Sequence, residues 1–256
     1  MRARRKLAEV SSTLVKEFVR MGVDVSPYVP LFIKAVLEKK LRGQVLIGIA
    51  GGIASGKTWV AQRLAERLEG TYINFDVLIR ELYNEQSKGS QIVREKLVAW
   101  FGPEVLCDGG SRVDREILKA RMFGHPSSKE MVQKVVELTT PHVMRLYRCK
   151  LNEANGFVLV EWALMAKMGM GGMVNNHVIV VDAVDRDIAL KERGIDSTAF
   201  ARVSTHQWGA QQQMEALRDA VDRDGYGQVL LYRNDRDPER SAAGLTDLEA
   251  FVRSLN

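Results

Sequence analysis

Cysteine is scarce. Cys107 and Cys149 are the only two, and they lie far apart in the chain. With no further thiols, neither a disulfide framework nor a cysteine-type zinc site is available, and a reducing, cytoplasmic setting fits. The four histidines, His125, His142, His177 and His206, are scattered and form no ligand cluster. No uninterrupted apolar run approaches the ~18 residues that a membrane-spanning helix needs. Internal repeats and low-complexity tracts are missing too, although Met168-Gly169-Met170-Gly171-Gly172-Met173 is locally odd and reads as a mobile loop. An Asn-Lys-x-Asp stretch, which reads guanine in GTPase switches, is also absent.

The excess of positive charge is confined to one end. Residues 1–42 carry ten Lys/Arg against four Asp/Glu, whereas the remainder carries 27 against 28. The body is therefore nearly neutral, and a nucleic-acid partner for the whole chain is not supported. Residues 1–43 read as a basic extension of two helices. Leu7, Val10, Leu14, Val15, Phe18 and Val19 recur at helical spacing, Gly22 and Asp24-Val25-Ser26-Pro27 interrupt them, and Leu31, Phe32, Ala35, Val36 and Leu37 form a second stripe. Arg2, Arg4 and Arg5 suggest a targeting segment, but the acidic residues and the second helix argue against it. The expectation is a helical pair whose Leu14/Phe18 and Phe32/Val36 stripes pack on the body or on a second subunit in a homo-oligomer.

What is present in full is a phosphate-binding loop, Gly51-Gly52-Ile53-Ala54-Ser55-Gly56-Lys57-Thr58. Its glycines let backbone N–H groups turn toward a polyphosphate, the Lys57 ammonium reaches the outer phosphates, and the Thr58 hydroxyl can ligate Mg²⁺. Val45–Ala50 ahead of it reads as a buried strand. Thr58–Leu68 behind it reads as a helix, with Val60, Ala61, Leu64, Ala65 and Leu68 on one face. The helix start adds its positive dipole end to the anion site.

From Gln44 onward, strands and helices alternate. Thr71–Asp76, Gly156–Glu161, His177–Asp182 and Gln228–Tyr232 read as further strands, and 77–155 reads as mainly helical. Continuous apolar strands separated by helices predict an α/β fold: a parallel five-stranded sheet covered on both faces. Ligands of such sheets sit at the carboxyl ends of the strands, where the loop, Asp76 and Glu161 fall.

At this point the chain resembles the dephospho-coenzyme A kinases. Ile47-Gly48-Ile49-Ala50-Gly51-Gly52-Ile53-Ala54-Ser55-Gly56-Lys57-Thr58 is similar to that family's I-G-L-T-G-G-I-G-S-G-K-[ST]. Asp76 with Arg80-Glu81-Leu82 resembles D-A-D-x-[IL]-x-R-E-L. Phe101-Gly102, Asp108-Gly109, Val113-Asp114-Arg115, Leu118 and Phe123 follow the family's F-G…D-G-x-L-D-R-x-x-L…V-F in order. The chain departs at Asn74, which replaces the first Asp of D-A-D, and at Thr140-Pro141, which replaces His-Pro. Glu161-Trp162-Ala163-Leu164-Met165-Ala166-Lys167 replaces D-[VI]-P-L-L-[FY]-E, and Gln211-Gln212-Gln213 replaces a charged stretch. The ATP half is better preserved than the acceptor half.

The resemblance implies a P-loop kinase with a three-layer fold over 44–256. A helical acceptor-binding region would span 77–155 and a lid 193–212. Its activity would be transfer of the ATP γ-phosphoryl group, with Mg²⁺, to the ribose 3′-hydroxyl of dephospho-coenzyme A. Gly51, Gly52, Ile53, Ala54, Ser55, Gly56, Lys57 and Thr58 would hold the ATP phosphates, Lys57 acting in catalysis as well. Asp76 would orient the acceptor hydroxyl and take its proton, although an Asp there also suits a helix cap for Val77 onward. Arg80 and Arg115 would bind the acceptor, or lie as surface charges, with Asp114 capping a helix. Glu161 would hold a Mg²⁺-bound water beside Thr58 and border the acceptor, or be a solvated strand end. Arg193 and Arg202 would close over the phosphates as lid arginines, Arg193 with a catalytic part, and Asn234 would match an asparagine after the last strand. Trp162 and Trp208 suit packing. Two other functions stay open: a kinase of another small molecule or nucleotide, and a nucleotide-binding regulatory module without catalysis.

Overall fold

The computed structural model describes residues 10–184, 208–235 and 237–256. They divide into two compact units. One holds the residues up to Ile73 together with Leu151–Asn256, and the other holds Asn74–Lys150.

The first unit is built on a five-stranded sheet of β1 (Gln44–Gly51), β2 (Thr71–Asn74), β5 (Gly156–Glu161), β6 (His177–Ala183) and β7 (Gln228–Asn234). The spatial order is β2-β5-β1-β6-β7. β1 runs parallel to β5, with Gln44 opposite Gly156 and Ile49 opposite Glu161. It also runs parallel to β6, which in turn is parallel to β7. These strands are apolar on both faces because both are covered. Ile47, Ile49, Ile179 and Val181 point to the side of α3 (Lys57–Leu68) and α9 (Pro238–Ser254), where they meet Val60, Leu64, Leu245, Leu248 and Val252. Leu46, Val178 and Val180, one residue out of phase, are equally buried on the opposite side. There Met165, Val174 and α8 (Ala210–Asp224), through Met214 and Leu217, supply the third layer. Each such side chain contributes about 1.5–3 kcal/mol by leaving water. The five strands foreseen are present, but the second, expected over Thr71–Asp76, ends at Asn74, and Phe75 and Asp76 begin the helix that follows. The tract around Met170, expected as a mobile loop, forms a turn with Gly171 and Met173 buried. Among the described residues no helix is long and apolar enough to cross a membrane.

The amino-terminal helices, α1 (Ser12–Arg20, capped by the Ser11 hydroxyl) and α2 (Leu31–Arg42, closed by left-handed Gly43), share the unit with the sheet. Val15, Val19 and Val25 form a small core between them. Of the residues expected to make contact with the body or a second subunit, Leu14, Phe32 and Val36 are exposed in the single chain. α2 buries Leu31, Lys34 and Glu38. Lys34 is 1% exposed, and its ammonium donates to the carbonyls of Gly172 (3.0 Å) and Met173 (3.3 Å) and to Asn175 Oδ1 (2.8 Å). Glu38 pairs with it at 3.1 Å and accepts from Asn175 Nδ2 at 2.7 Å. A helical stripe search scores apolar residues, so it passes over a buried charge that is tolerated only because every proton finds an acceptor. Arg42 adds bonds to the carbonyls of Val19 (3.1 Å) and Leu151 (2.7 Å). These contacts lie at the amino ends of β1 and β6. Seven residues of extended β1, about 23 Å, separate them from the phosphate loop.

The second unit contains α4 (Phe75–Asn84), α5 (Lys88–Phe101), a hairpin of β3 (Leu106–Cys107) and β4 (Arg112–Val113), α6 (Arg115–Phe123) and most of α7 (Ser128–Glu153). Its core includes Phe75, Leu78, Leu97, Val113, Leu118, Val143 and Tyr147, with the Phe75 and Tyr147 rings 5.4 Å apart. The hairpin was not foreseen, because two-residue strands leave no periodicity to read. Pro141 sits inside α7, where it removes one backbone donor. The Thr139 and Thr140 hydroxyls bond back to the carbonyls of Val135 (2.8 Å) and Val136 (2.7 Å) in the preceding turn.

Candidate active site

The loop between β1 and α3 has the backbone that its sequence implies. Gly51 has φ +144°, and a Cβ there would lie 2.4 Å from the Val181 carbonyl oxygen, so only glycine fits. Gly56 caps α3 in the left-handed region at φ +82°, and its Cβ would lie 2.0 Å from Asn234 Nδ2. Ala54 takes φ +57°, a conformation that alanine seldom adopts. Asn234, at the end of β7, donates from Nδ2 to the Ser55 carbonyl (3.1 Å) and pins the loop from the side. The Ser55 hydroxyl is buried with no hydrogen-bond partner in the structure. An unmatched buried hydroxyl is costly, and in a loop of this kind a phosphate oxygen is the acceptor that would satisfy it.

Glu161 ends β5 beside the start of α3 and is 2% exposed. The Thr58 hydroxyl donates to Glu161 Oε1 at 2.8 Å, and the Tyr72 hydroxyl, from β2, donates to Oε2. Lys57 Nζ stands 4.0 Å from Oε1 and 3.5 Å from the Gly52 carbonyl. The Lys57 ammonium and Thr58 hydroxyl of α3 and the carboxylate of β5 are therefore gathered at one point, with Tyr72 of β2 on the other carboxylate oxygen. Of the two readings of Glu161, the solvated strand end is excluded by its burial. Tyr72 was not foreseen: a tyrosine in an edge strand reads as ordinary strand composition. Its position two residues before Asn74, in a strand neighbouring β5, was the available signal.

Mg²⁺ binds through one or two protein oxygens, phosphate oxygens and water. Thr58 and Glu161 suit that donor set. A hydroxyl that donates its proton to Glu161 keeps its lone pairs for a cation. Among the described residues no group of three or more His, Cys, Asp or Glu could hold a metal by itself.

Asp76 and Arg80 belong to the second unit. They lie four residues apart on α4, on one face, and both are exposed. Asp76 is not the cap that its position allowed. Asn74 caps α4, its Oδ1 accepting from the N–H groups of Asp76 (2.8 Å) and Val77 (3.2 Å). The Asp76 carboxylate is thereby left out of helix capping. Asp114 caps α6 as expected, with Oδ1 accepting at 3.0 Å from both Glu116 and Ile117. Arg115 follows in the first turn, and its charge acts on Tyr83, whose hydroxyl burial pushes up to about 12. Arg193, Arg202 and the expected lid as far as residue 207 lie outside the described residues. The rest of that segment runs into α8.

A parallel sheet of this strand order, a glycine-rich loop feeding a helix, and Lys57, Thr58 and Glu161 converging behind it define a phosphate-loop kinase. The comparisons with known proteins narrow the class. The CoaE dephospho-CoA kinase profile matches residues 45–227, and the chain belongs to that family. It is 27% identical over 209 residues to the dephospho-CoA kinase of Cupriavidus pinatubonensis, covering 78% of this chain and 98% of that one. With the dephospho-CoA kinase of Geobacter metallireducens it shares 36% over 110 residues, covering 43% of this chain and 50% of the relative. The crystal structure of TT1252 from Thermus thermophilus superposes with a TM-score of 0.59 at 22% identity, covering 83% of this chain and 98% of that one. That likeness supports the fold.

Proposed function

We propose that the protein transfers the γ-phosphoryl group of ATP to the ribose 3′-hydroxyl of dephospho-coenzyme A, giving coenzyme A. Family membership over 45–227 supports the reaction. The observation that carries phosphoryl transfer is the convergence of Lys57, Thr58 and Tyr72 on Glu161. The loop N–H groups and Lys57 bind the triphosphate and hold charge where the transition state develops it. Thr58 and Glu161 would hold Mg²⁺, which when bound offsets negative charge between the β- and γ-phosphates. Asp76 takes the proton of the acceptor hydroxyl, a role its exposure and freedom from capping leave open to it. Arg80 and Arg115 pair with acceptor phosphates, and Arg193 and Arg202 close on ATP. The 1–43 segment, by its contacts at the amino ends of the strands, acts on stability and not on chemistry. An ADP-release assay across dephospho-coenzyme A, nucleosides and nucleoside monophosphates tests the reading. Dephospho-coenzyme A should give the highest kcat/KM. A different preferred acceptor would preserve the kinase and overturn its substrate.

A further inference from the structure

The amino-terminal helices leave one face uncovered, and we propose that this face docks on an anionic lipid surface. The proposal concerns where the enzyme sits and does not depend on which acceptor it phosphorylates. Five of the ten large apolar side chains left exposed among the described residues, Leu14, Met21, Tyr28, Phe32 and Val36, fall within this short stretch. Scattered singly, such residues are ordinary, but a concentration of them marks an interaction surface.

Helical spacing defines the outward face of α2. Leu31, Lys34 and Glu38 are buried. Phe32, Val36, Lys39 and Lys40, about 150° round the helix from them, are exposed, Phe32 at 48% and Val36 at 43%. The only acid of the helix, Glu38, is turned inward and paired with Lys34 at 3.1 Å. The outward face therefore carries two apolar side chains, then two ammonium groups, and no carboxylate. Neither ammonium is paired with an acid among the described residues. This is the pattern of a helix that lies in the plane of a bilayer surface, with its apolar residues reaching past the headgroups and its lysines level with them. Tyr28, just ahead of α2, is 38% exposed with its ring 5.9 Å from that of Phe18, and an amphipathic ring of this kind suits the same depth.

Charge decides between occupants. Residues 1–42 hold ten Lys/Arg against four Asp/Glu. A second copy would bring the same positive excess to the same face, so a symmetric pairing there sets like charges together. A nucleic-acid backbone would satisfy the lysines and leave Phe32 and Val36 without an apolar partner. An anionic bilayer answers both, with negative headgroups for Lys39 and Lys40 and acyl chains for Phe32 and Val36. Docking there also leaves the catalytic end open. The extension makes its contacts at the amino ends of β1 and β6, about 23 Å along β1 from the phosphate loop.

Flotation of the full chain with vesicles tests this, using phosphatidylcholine alone and phosphatidylcholine with about one third phosphatidylserine. The protein should float with the serine-containing vesicles at low salt, bind the neutral ones at least about 10-fold more weakly, and come off as salt rises. Lys39→Glu/Lys40→Glu should weaken binding on the order of 10²–10³-fold, since each lysine near such a surface counts for about five-fold and each reversal is felt twice. Phe32→Ser/Val36→Ser should weaken it about 10- to 100-fold. Both variants should keep the wild-type unfolding temperature and the wild-type ADP-release rate in solution, because the four side chains are exposed and remote from the loop. Failure of the wild type to bind the anionic vesicles at low salt, or equal binding to both kinds, overturns the proposal whatever the variants do. A wild-type dimer in sedimentation that Phe32→Ser/Val36→Ser dissociates assigns the face to a second copy and overturns it as well.

Discussion

The Tyr72 hydroxyl offers a one-atom test of how the site is held. Tyr72→Phe keeps the ring in β2 and removes the donor to Glu161 Oε2. A hydrogen bond to a charged group contributes about 1.5–3 kcal/mol. Glu161 is 2% exposed, so water does not replace the lost donor freely. The carboxylate keeps Thr58 at 2.8 Å and Lys57 at 4.0 Å, both on Oε1, and loses the bond from Tyr72 to Oε2. Part of the lost energy should appear as lower stability, about 1–2 kcal/mol by urea unfolding. Part should appear as poorer alignment of the group that would hold Mg²⁺, lowering kcat about 3- to 30-fold and raising the Mg²⁺ concentration needed for half-maximal rate. ATP affinity without Mg²⁺ should stay within two-fold, because the loop is untouched. Steady-state ADP release at varied Mg²⁺ reads all of this. A variant with wild-type kcat and wild-type Mg²⁺ dependence would show that Tyr72 is packing and that Glu161 needs no second holder.

Asp76→Asn should retain ATP binding by calorimetry while kcat falls about 10²–10⁴-fold, since the amide cannot take the proton; a wild-type rate would remove Asp76 from the chemistry. Lys34→Ala leaves Glu38 and Asn175 buried without their cation and should cost about 3–5 kcal/mol in denaturant unfolding with KM for ATP unchanged, whereas a loss under 1 kcal/mol would mean that water reaches the network. His177 is buried, and desolvation together with the Lys34 charge lowers its pKa from 6.5 to about 4. The unfolded chain therefore binds the extra proton first, so stability should be full above about pH 6.5 and decline as pH falls toward 4, by up to about 3 kcal/mol. His177→Leu should flatten that part of the urea-midpoint profile, and an unchanged slope would assign it to other groups.

The loop, the strand carrying it and the strand ending in Glu161 were legible because their signals are local. Gly51–Thr58 is a fixed pattern, and Val158-Leu159-Val160-Glu161 breaks an apolar run with an acid at its last residue. What escaped were pairings across the chain. Tyr72 reaches a residue 89 positions away, and Lys34 reaches one 141 away. Neither partner marks the other in a linear pattern. The Asn74 cap illustrates a different loss: Asn and Asp both suit the position, and only geometry shows that Asn74 takes the capping role and leaves Asp76 aside. The burial of Lys34 and Glu38 on α2 escaped because a helical stripe is read from apolar residues.

The most direct test of the central claim is the identity of the product. ATP, Mg²⁺ and dephospho-coenzyme A are incubated with the protein, and the product is read by mass and by phosphorus NMR. The account predicts gain of one phosphoryl group, located on the ribose 3′-oxygen, with one ADP released per product. It also predicts that Lys57→Ala lowers the rate about 10²–10³-fold by removing the preorganised positive charge. Phosphate on another position, ADP release without a phosphorylated acceptor, or an undiminished rate in folded Lys57→Ala would contradict it.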